Sequence, residues 1–398
     1  MKRSIVKLSL GMALLAVAFS CSKDDSNSPD PQAATCDDGI QNGDETGVDC
    51  GGSACEPCAV DNILEGDVTT DVTLDAAIGY ELAGAYVVRS GASLTIPAGT
   101  VISATGGTSS YIAVERGAQI FINGNSSAPV VMTSGSSAPA PGDWGGLVIC
   151  GDAPTNKGSN VTSEVADLTY GGSNANDNSG SIRYLRVEYT GATFSNDKEF
   201  NGVSLFGVGA GTTFEYVQSY QGGDDGIEFF GGTVSGDYLV SIGSGDDSID
   251  FADGWQGNGS YWYIKDGAKA GIEGSNNGDD GNASPVTTTM LSNITVVGPV
   301  TEGALYFKEG GGNFTITNFY TDGIDLGVKV KDTDAEAAVR IENGDLSINP
   351  MQFDNTAAGF EITDYIGANQ SFVVEGPTSG AGNGAAAPSW AAGWTSGL

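Results

Sequence analysis

Two pairs of adjacent aspartates are the clearest candidates for chemistry in the sequence. Asp224-Asp225 and Asp246-Asp247 are 22 residues apart, and a glycine precedes each pair. Carboxylate oxygens are the ligands that calcium prefers. Closely spaced carboxyls can instead share a proton for acid–base catalysis, or they can simply be solvated. These three interpretations remain open. The predicted calcium ligands in this region are Asp224, Asp225, Glu228, Asp246, Asp247, Asp250, Asp253 and Glu273.

Composition excludes several classes of function. The 398 residues include no histidine. A Ser-His-Asp triad and a zinc or iron site with histidine ligands are therefore excluded. Lys and Arg number 16 against 50 Asp and Glu, which gives a formal net charge of −34. No nucleic-acid partner is expected, because binding to phosphates needs basic residues.

A repeat of 22–26 residues runs through the body of the chain. Apolar segments that begin at Val203, Ile227, Ile249 and Ile272 are 24, 22 and 23 residues apart. Short segments of this kind, bounded by Gly, Asn and Asp, predict strands, and no segment has helical periodicity with caps. The period predicts stacked coils that share one core. The predicted fold is all-β, a right-handed parallel β-helix of about 12 coils over residues 59–398 with a C-terminal cap.

The repeat also predicts where the acids and the last tryptophans lie. An acid follows an apolar residue in successive coils, so Glu228, Asp250 and Glu273 are expected to form an outward column. Stacked strands are about 4.8 Å apart, so the column repels itself unless a cation, a shared proton or water relieves the charge. Trp390 and Trp394 are predicted to close the last coil against edge-to-edge association.

Four aromatic residues follow the second aspartate pair closely. Trp255, Tyr261, Trp262 and Tyr263 lie beside Asn-rich and acidic turns. Exposed aromatic rings can stack on sugars while neighbouring polar groups form hydrogen bonds. These residues are therefore the predicted glycan contacts, with packing inside the core as the alternative.

Four cysteines lie close together near the N-terminus, at Cys36, Cys50, Cys55 and Cys58. In an exported protein this spacing predicts two disulfides whose pairing is open, with a zinc site as the alternative. The module spans residues 36–58 and contains a loop rich in acids and glycine. The predicted calcium ligands in that loop are Asp38, Asn42, Asp44 and Asp49.

Residues 1–20 have the layout of a secretory signal peptide, with three basic residues before a short apolar run. The small residues before Cys21 resemble a bacterial lipobox, which implies that Cys21 is lipidated. Residues 21–35 are polar and contain two prolines, so they predict a flexible tether. We expect an outer-membrane protein that faces the cell exterior and is held by its lipid anchor alone.

An ordered set of motifs resembles one known family. The set consists of DWGGLVI (143–149), SIRYLRVEY (181–189), FEYVQ (214–218), GDDGIEFF (223–230) and WAAGWT (390–395). It is similar to a family of β-helix surface lipoproteins of Bacteroidota and proteobacteria with a pectin-lyase-like fold. The resemblance implies a fold and a surface location, and no settled activity belongs to that family.

A second resemblance concerns catalysis. The turn DGIE (225–228), followed one coil later by GDD (245–247), looks like the catalytic turns of β-helix polygalacturonases. That resemblance implies that Asp225, Asp246 and Asp247 supply the general acid and the base of an inverting glycoside hydrolase. The histidine and the Arg-Ile-Lys segment of those enzymes have no counterpart here.

The sequence as a whole favours binding without turnover. The predicted protein presents a calcium-stabilised β-helix to an extracellular glycan or to another surface ligand, such as a surface protein. The alternatives are the inverting hydrolase and a calcium-dependent polysaccharide lyase, for which Lys265 and Lys269 are the nearest basic residues along the chain.

Overall fold

The computed structural model describes most of the chain and divides it into two compact units, Met1–Asp61 and Asn62–Leu398. The predicted signal peptide, Cys21 and all of the tether except its last residue lie outside the described residues. Within the described part, no helix is both long and apolar enough to cross a membrane. The described residues are 35–58, 61–195, 198–331, 333–355, 369 and 371–398.

Two disulfides hold the described part of the N-terminal unit. Cys36 is bonded to Cys55, and Cys50 is bonded to Cys58. The predicted disulfides are confirmed, and their pairing is now known. An isolated bridge between Gly47 and Cys50 is the only β pairing in residues 35–58. Cross-links therefore replace the hydrophobic core that so small a unit cannot build.

Strands make up nearly all of the regular structure in the second unit. The described part also contains one α-helix, α1 (Ala335–Asn343), and two short 3₁₀ turns, Gly107–Ser109 and Ser389–Ala391. The strands in chain order are β1 (Ile63–Val68), β2 (Val72–Thr73), β3 (Gly79–Val88), β4 (Ser93–Pro97), β5 (Val101–Ala104), β6 (Tyr111–Val114), β7 (Gln119–Asn123), β8 (Val130–Ser134), β9 (Leu147–Cys150), β10 (Val161–Thr162), β11 (Thr169–Tyr170), β12 (Gly180–Glu188), β13 (Thr193–Ser195), β14 (Lys198–Glu199), β15 (Val203–Phe206), β16 (Thr213–Tyr220), β17 (Ile227–Phe230), β18 (Gly236–Ile242), β19 (Ile249–Ala252), β20 (Gly259–Lys265), β21 (Ile272–Ser275), β22 (Thr288–Val297), β23 (Leu305–Lys308), β24 (Asn313–Asp322), β25 (Val328–Val330), β26 (Leu346–Asp354) and β27 (Val373–Glu375).

The described strands form one 23-stranded parallel sheet and two small antiparallel hairpins. The large sheet winds into three ladders, because each strand pairs with the equivalent strand of the next coil. Face A runs through β1, β3, β6, β9, β15, β17, β19, β21, β23 and β25. Face B runs through β2, β4, β7, β12, β16, β18, β20, β22, β24 and β26. Face C runs through β1, β3, β5, β8, β12, β16, β18, β20, β22, β24, β26 and β27. The predicted parallel β-helix is confirmed.

The core follows the apolar repeat in the sequence. Ile227, Ile249 and Ile272 are in register on face A, and all three are fully buried. Val203 continues this row in the coil before them. Burying such a side chain stabilises the fold by about 1.5–3 kcal/mol. The predicted inward ladder is therefore confirmed, and it brings the residue after each isoleucine to the outer side of face A.

Faces B and C meet at a corner built from left-handed residues. Strands β12, β16, β18 and β20 cross that corner at Tyr184, Tyr216, Tyr238 and Tyr261, whose φ angles are 52°, 55°, 57° and 59°. The four rings stack along the axis with centroid separations of 4.3, 4.4 and 4.8 Å. We call this stack the aromatic seam.

The segment of residues 379–396, which we call the returning segment, runs back along the aromatic seam. Trp394 packs edge-on against Tyr184 and Tyr216, and Trp390 packs edge-on against Tyr238. The three tyrosines belong to β12, β16 and β18, which lie in the middle of the β-helix. The prediction that Trp390 and Trp394 close the last coil is therefore wrong, because the stacked tyrosines offer them an apolar groove along the side.

Helix α1 was not expected from the sequence. The Asp334 carboxylate accepts a hydrogen bond from the Ala337 N–H at 2.8 Å, and Gly344 ends the helix with a φ of 87°. Such an N-cap and a left-handed glycine are typical of helix ends. Ala337 and Ile341 lie in the same core as the coils. The helix thus takes the place of one coil segment near the end of the ladders.

A candidate cation and ligand cleft

The predicted acidic column lies on the outer side of face A. Glu228, Asp250 and Glu273 are in register on β17, β19 and β21. We call these three residues the acidic row. Tyr306 of β23 and Lys329 of β25 continue the same register. The three acids are 6–8% exposed, because other segments of the chain cover this side of the coil.

The two aspartate pairs lie in the turns that lead into these strands. Asp225 and Asp247 are in equivalent turn positions, and their carboxylates accept backbone hydrogen bonds from the next coil. The Asp247 N–H donates to Asp225 Oδ1 at 2.8 Å, and the Ala270 N–H donates to Asp247 Oδ1 at 2.6 Å. One oxygen of each carboxylate therefore links neighbouring coils. Asp246 instead pairs with the Lys269 ammonium at 2.6 Å.

Carboxylates from the turns and from the acidic row converge into two overlapping clusters. Asp225, Glu228 and Asp250 each offer an oxygen within 4.8 Å of the others, and all three are buried. Asp224, Asp225 and Asp246 form the second cluster under the same limit. Asp250 Oδ1 is shielded from solvent and accepts no hydrogen bond from any described residue. The charge of an oxygen in this state can be neutralised by a proton or by a bound cation.

Insertions in the coils build the walls of the site. The segment around β10 and β11 packs Tyr170 against Phe206 and Phe230, and it carries Glu164 over the acidic row. Two cavities of about 350 and 290 Å³ both include Glu164, Asp250 and Glu273 in their lining. We call this space the acidic cleft. Its further charged lining residues are Lys157, Lys198, Glu199, Asp224, Asp225, Glu228, Asp246, Asp247, Asp253, Lys269, Glu302, Lys308 and Glu309.

Burial raises the pKa of most of the carboxyls in the acidic cleft. Burial, reinforced by the charges of Asp246 and other nearby acids, raises the pKa of Asp224 to about 7. The pKa of Asp247 rises to about 9 through burial and its contact with Glu273. Burial and neighbouring acids hold the pKa values of Asp225, Glu228 and Asp250 well above the ordinary carboxyl range. The predicted ligand Asp253 has its pKa raised by burial to about 6, with the Lys157 ammonium opposing the shift.

Lys269, a predicted lyase base, lines the acidic cleft, but sequence reasoning missed Lys157, Glu164 and the position of Lys308 beside the acidic row. The Lys308 ammonium lies 2.6 Å from a Glu273 oxygen, and Lys157 lies 3.8 Å from Asp253. Lys308 is in register with Ser275, but the insertion after Ser275 hides that relation in the sequence. Glu164 belongs to no repeat. The other predicted lyase base, Lys265, pairs with Asp266 outside the acidic cleft.

The predicted aromatic contacts do not line this site. Trp255 and Trp262 are fully buried in the core, where their indole N–H groups donate to the carbonyls of Val234 and Gly236. The ring of Tyr263 is 3% exposed, and its hydroxyl donates to the Ala385 carbonyl of the returning segment. The prediction that these three rings are exposed is wrong.

Tyr261 is half-buried in the aromatic seam, where it stacks on Tyr238. It therefore lies at the corner of faces B and C, away from the acidic row on face A. The structure does not bring it together with the predicted metal ligands.

The acids of the cysteine module have a different environment. The Asp49 carboxylate accepts hydrogen bonds from the N–H groups of Asp38 and Gly39, and Asp44 accepts one from the Ser53 N–H. The Asn42 amide donates to Asp38 at 2.9 Å, so it presents a donor rather than an oxygen to that carboxylate. The described loop does not bring the four predicted calcium ligands together as one oxygen set.

The fold and the site define a parallel β-helix with a buried acidic cleft on one face. Residues 66–395 match a family described as the pectate-lyase-like β-helix domain, and the chain belongs to this family. The sequence has no significant match among curated proteins. Among solved structures it is similar to a GH87 α-1,3-glucanase catalytic domain in complex with nigerose. That similarity has 13% identity and a TM-score of 0.24, and it covers 82% of this chain and 71% of the other. A match this distant carries no functional argument.

Proposed function

We propose that the protein binds an extracellular glycan through a calcium ion held in the acidic cleft, without turnover. The observation that carries this proposal is the cluster of Asp225, Glu228 and Asp250. Three buried carboxylates converge there within 4.8 Å, with Glu228 and Asp250 on neighbouring strands and Asp225 in the turn before β17. Side chains on an exposed loop can move apart, whereas packing and strand pairing keep these buried side chains close together.

Electrostatics supports a cation at this cluster. Two carboxylate charges about 4.8 Å apart repel by about 3.5 kcal/mol at an effective dielectric of about 20. None of the described lysines or arginines forms an ion pair with Asp225 or Glu228. Calcium takes six to eight oxygen ligands in flexible geometry, which suits a mixture of carboxylates from turns and strands.

The chemistry of the walls and the family description support a glycan as the ligand. The family is named for its likeness to pectate lyase, an enzyme that acts on a polysaccharide. The cleft offers charged and hydrogen-bonding groups, and the predicted aromatic contacts lie elsewhere. A glycan would therefore be held by the cation and by hydrogen bonds rather than by stacking. A protein ligand on the cell surface is the other outcome that an experiment must separate.

The proposed location rests on the N-terminal sequence. Residues 1–20 would direct export, and lipid on Cys21 would anchor the protein to the outer membrane with the β-helix facing outward. The tether of residues 21–35 would give the binding unit room to reach polymers beyond the membrane surface.

One observation favours a second candidate, hydrolysis of the glycan. Asp247 has a pKa raised by burial to about 9, so it holds a proton at neutral pH, as a general acid must. In this case Asp225, Asp246 and Asp247 would supply the general acid and the base. Against it, Asp225 and Asp247 each use one oxygen to bind the backbone of the next coil, and Asp246 is paired with Lys269.

The test is a binding and product assay with the purified full chain on a panel of polysaccharides. We expect retention on a glycan in calcium, loss of retention in chelator, and no new reducing ends or unsaturated products. Asp250→Asn should weaken retention at least tenfold. Asp237→Asn is the matched control, because Asp237 lies on face B outside the cleft. Its carboxylate accepts a hydrogen bond from the Ser260 hydroxyl.

Each other result of the assay has a defined meaning. Product formation that Asp246→Asn abolishes would replace binding with hydrolysis or lyase activity. Retention that ignores chelator and Asp250→Asn would remove the cation from the proposal. Absence of retention on every glycan would overturn the glycan ligand and direct attention to a surface protein.

A further inference from the structure

Lys308 occupies an unusual place at the end of the acidic row. Its side chain is 23% exposed, and its ammonium lies 2.6 Å from Glu273 Oε1 and 3.8 Å from Glu309 Oε1. The negative charge of Asp250 acts on it as well. The lysine therefore sits among three carboxylates, as a bound cation would.

The acidic row has two positions between neighbouring carboxylates. The first lies between Glu228 and Asp250 and also includes Asp225. No described lysine or arginine forms an ion pair with these three residues, and Asp250 Oδ1 is buried without a hydrogen bond from the described residues. The second position lies between Asp250 and Glu273, and Lys308 reaches it from the next coil.

We propose that the cleft binds one divalent cation at Asp225, Glu228 and Asp250, and that the Lys308 ammonium takes the neighbouring position that a second cation would otherwise fill. This inference rests on the cation of the proposed function. It adds that the cleft binds a single cation, and it identifies Lys308 as the residue that prevents a second one from binding.

The chemistry of the second position supports this assignment. Lysine carries a compact, strongly hydrated positive charge on a flexible stem, so it can stand where a small metal ion would. Without it, Glu273 and Glu309 would lose the ammonium that they pair with, and Asp250 would lose a nearby positive charge. Buried carboxylates without a counter-charge are costly, and hard cations prefer such oxygen ligands. Removing the lysine charge should therefore create a metal site.

The test is the stoichiometry of calcium binding, measured by titration calorimetry on the full chain. Wild type should bind one calcium in the cleft. Lys308→Met should bind two, a twofold rise, whereas Lys308→Arg should keep one because it retains the charge. The double variant Lys308→Met/Glu273→Gln should return to one, since it removes a ligand of the new site. Circular dichroism before titration would show that each variant is folded, and Lys308→Gln replaces Lys308→Met if the latter fails that check.

The outcomes separate this inference from the proposed function. No calcium bound by wild type or by Lys308→Met would overturn both. One calcium bound by both proteins would overturn the role of Lys308 and leave the proposed function intact. Two calcium ions in wild type would also overturn the inference, because the second position would then be open beside the lysine. The single substitution Asp250→Asn, with Lys308 retained, should abolish calcium binding.

Discussion

The acidic cleft and the aromatic seam are two rows built on the same coils, and they differ in how their polar groups are satisfied. At the seam, Gln218 is fully buried, and it both donates to the Ser396 carbonyl and accepts from the Ser396 N–H. The Trp394 indole donates to the Trp390 carbonyl. In the cleft, buried carboxyls outnumber the lysines that face them.

This difference shows what each covering segment does. The returning segment brings rings and backbone groups that complete the seam, so burial there stabilises the fold. The segment around β10 and β11 brings Glu164, another acid, over a row that is already acidic. Burial there disfavours the charged form of the acids and raises their pKa values, and a bound cation would relieve the same cost. Stability and the proposed ligand binding therefore depend on different sides of one scaffold.

The largest expected effect comes from changing pH in the absence of divalent ions. In the folded chain the pKa of Asp224 is raised to about 7 and that of Asp247 to about 9, whereas unfolded carboxyls keep ordinary pKa values. The folded state thus holds protons that the unfolded state releases. Each such carboxyl costs about 1.4 kcal/mol of stability per pH unit as pH rises from about 4 to its folded pKa. The unfolding temperature in chelator should therefore fall steadily between about pH 5 and pH 9.

Calcium provides the control for that experiment. An ion bound to the carboxylates favours their charged form, so the fall in unfolding temperature should become shallower in calcium. An unfolding temperature that stays constant with pH in chelator would show that the cleft acids do not differ from exposed ones, and the contrast with the seam would fail.

A substitution in the seam should have the next largest effect. Trp394 is fully buried against Tyr184 and Tyr216. Trp394→Ala should lower the free energy of unfolding by about 3–5 kcal/mol, as expected for a large buried ring. The measurement is urea denaturation followed by circular dichroism, with Ser389→Ala as the control in the same segment. The affinity of the proposed calcium site should not change. A weaker calcium site in this variant would mean that the two rows are not independent.

The smallest expected effect concerns the hydrogen bonds of the seam. Gln218→Ala removes both bonds to Ser396 and should cost about 1–2 kcal/mol, because the Ser396 backbone groups lose their partner. The exposed Gln256 supplies the matched control, and Gln256→Ala should leave urea denaturation unchanged. Equal stability of the two variants would show that solvent replaces the seam contacts without cost.

The repeat made the fold predictable from the sequence. Val203, Ile227, Ile249 and Ile272 recur at nearly constant spacing because each must fill the same place in the next coil. The same spacing predicted the acidic row, since equivalent positions in successive coils point to the same side of the sheet. Any residue that obeys the period could be placed in this way.

Residues that break the period could not be placed. The strands that run from face B to face C turn the corner at a residue such as Tyr261, with φ of 59°, and the alternation of inward and outward positions restarts there. Trp262 therefore enters the core in register with Leu239 and Ile294. Glu164 reaches the cleft from an insertion, and no local pattern indicates a contact that distant. Helix α1 had visible end signals in Asp334 and Gly344, but too short a body to stand out.

The returning segment also constrains the order in which the molecule can fold. The Trp394 carbonyl accepts a hydrogen bond from Arg186, 208 residues earlier in the chain. Contacts of such long sequence separation form late, because the loop that they close is costly in entropy. The coils can stack one after another as the chain emerges, but the groove along the tyrosines stays open until this segment arrives. A chain cut short before residue 379 would present that groove to other molecules, and association there competes with folding.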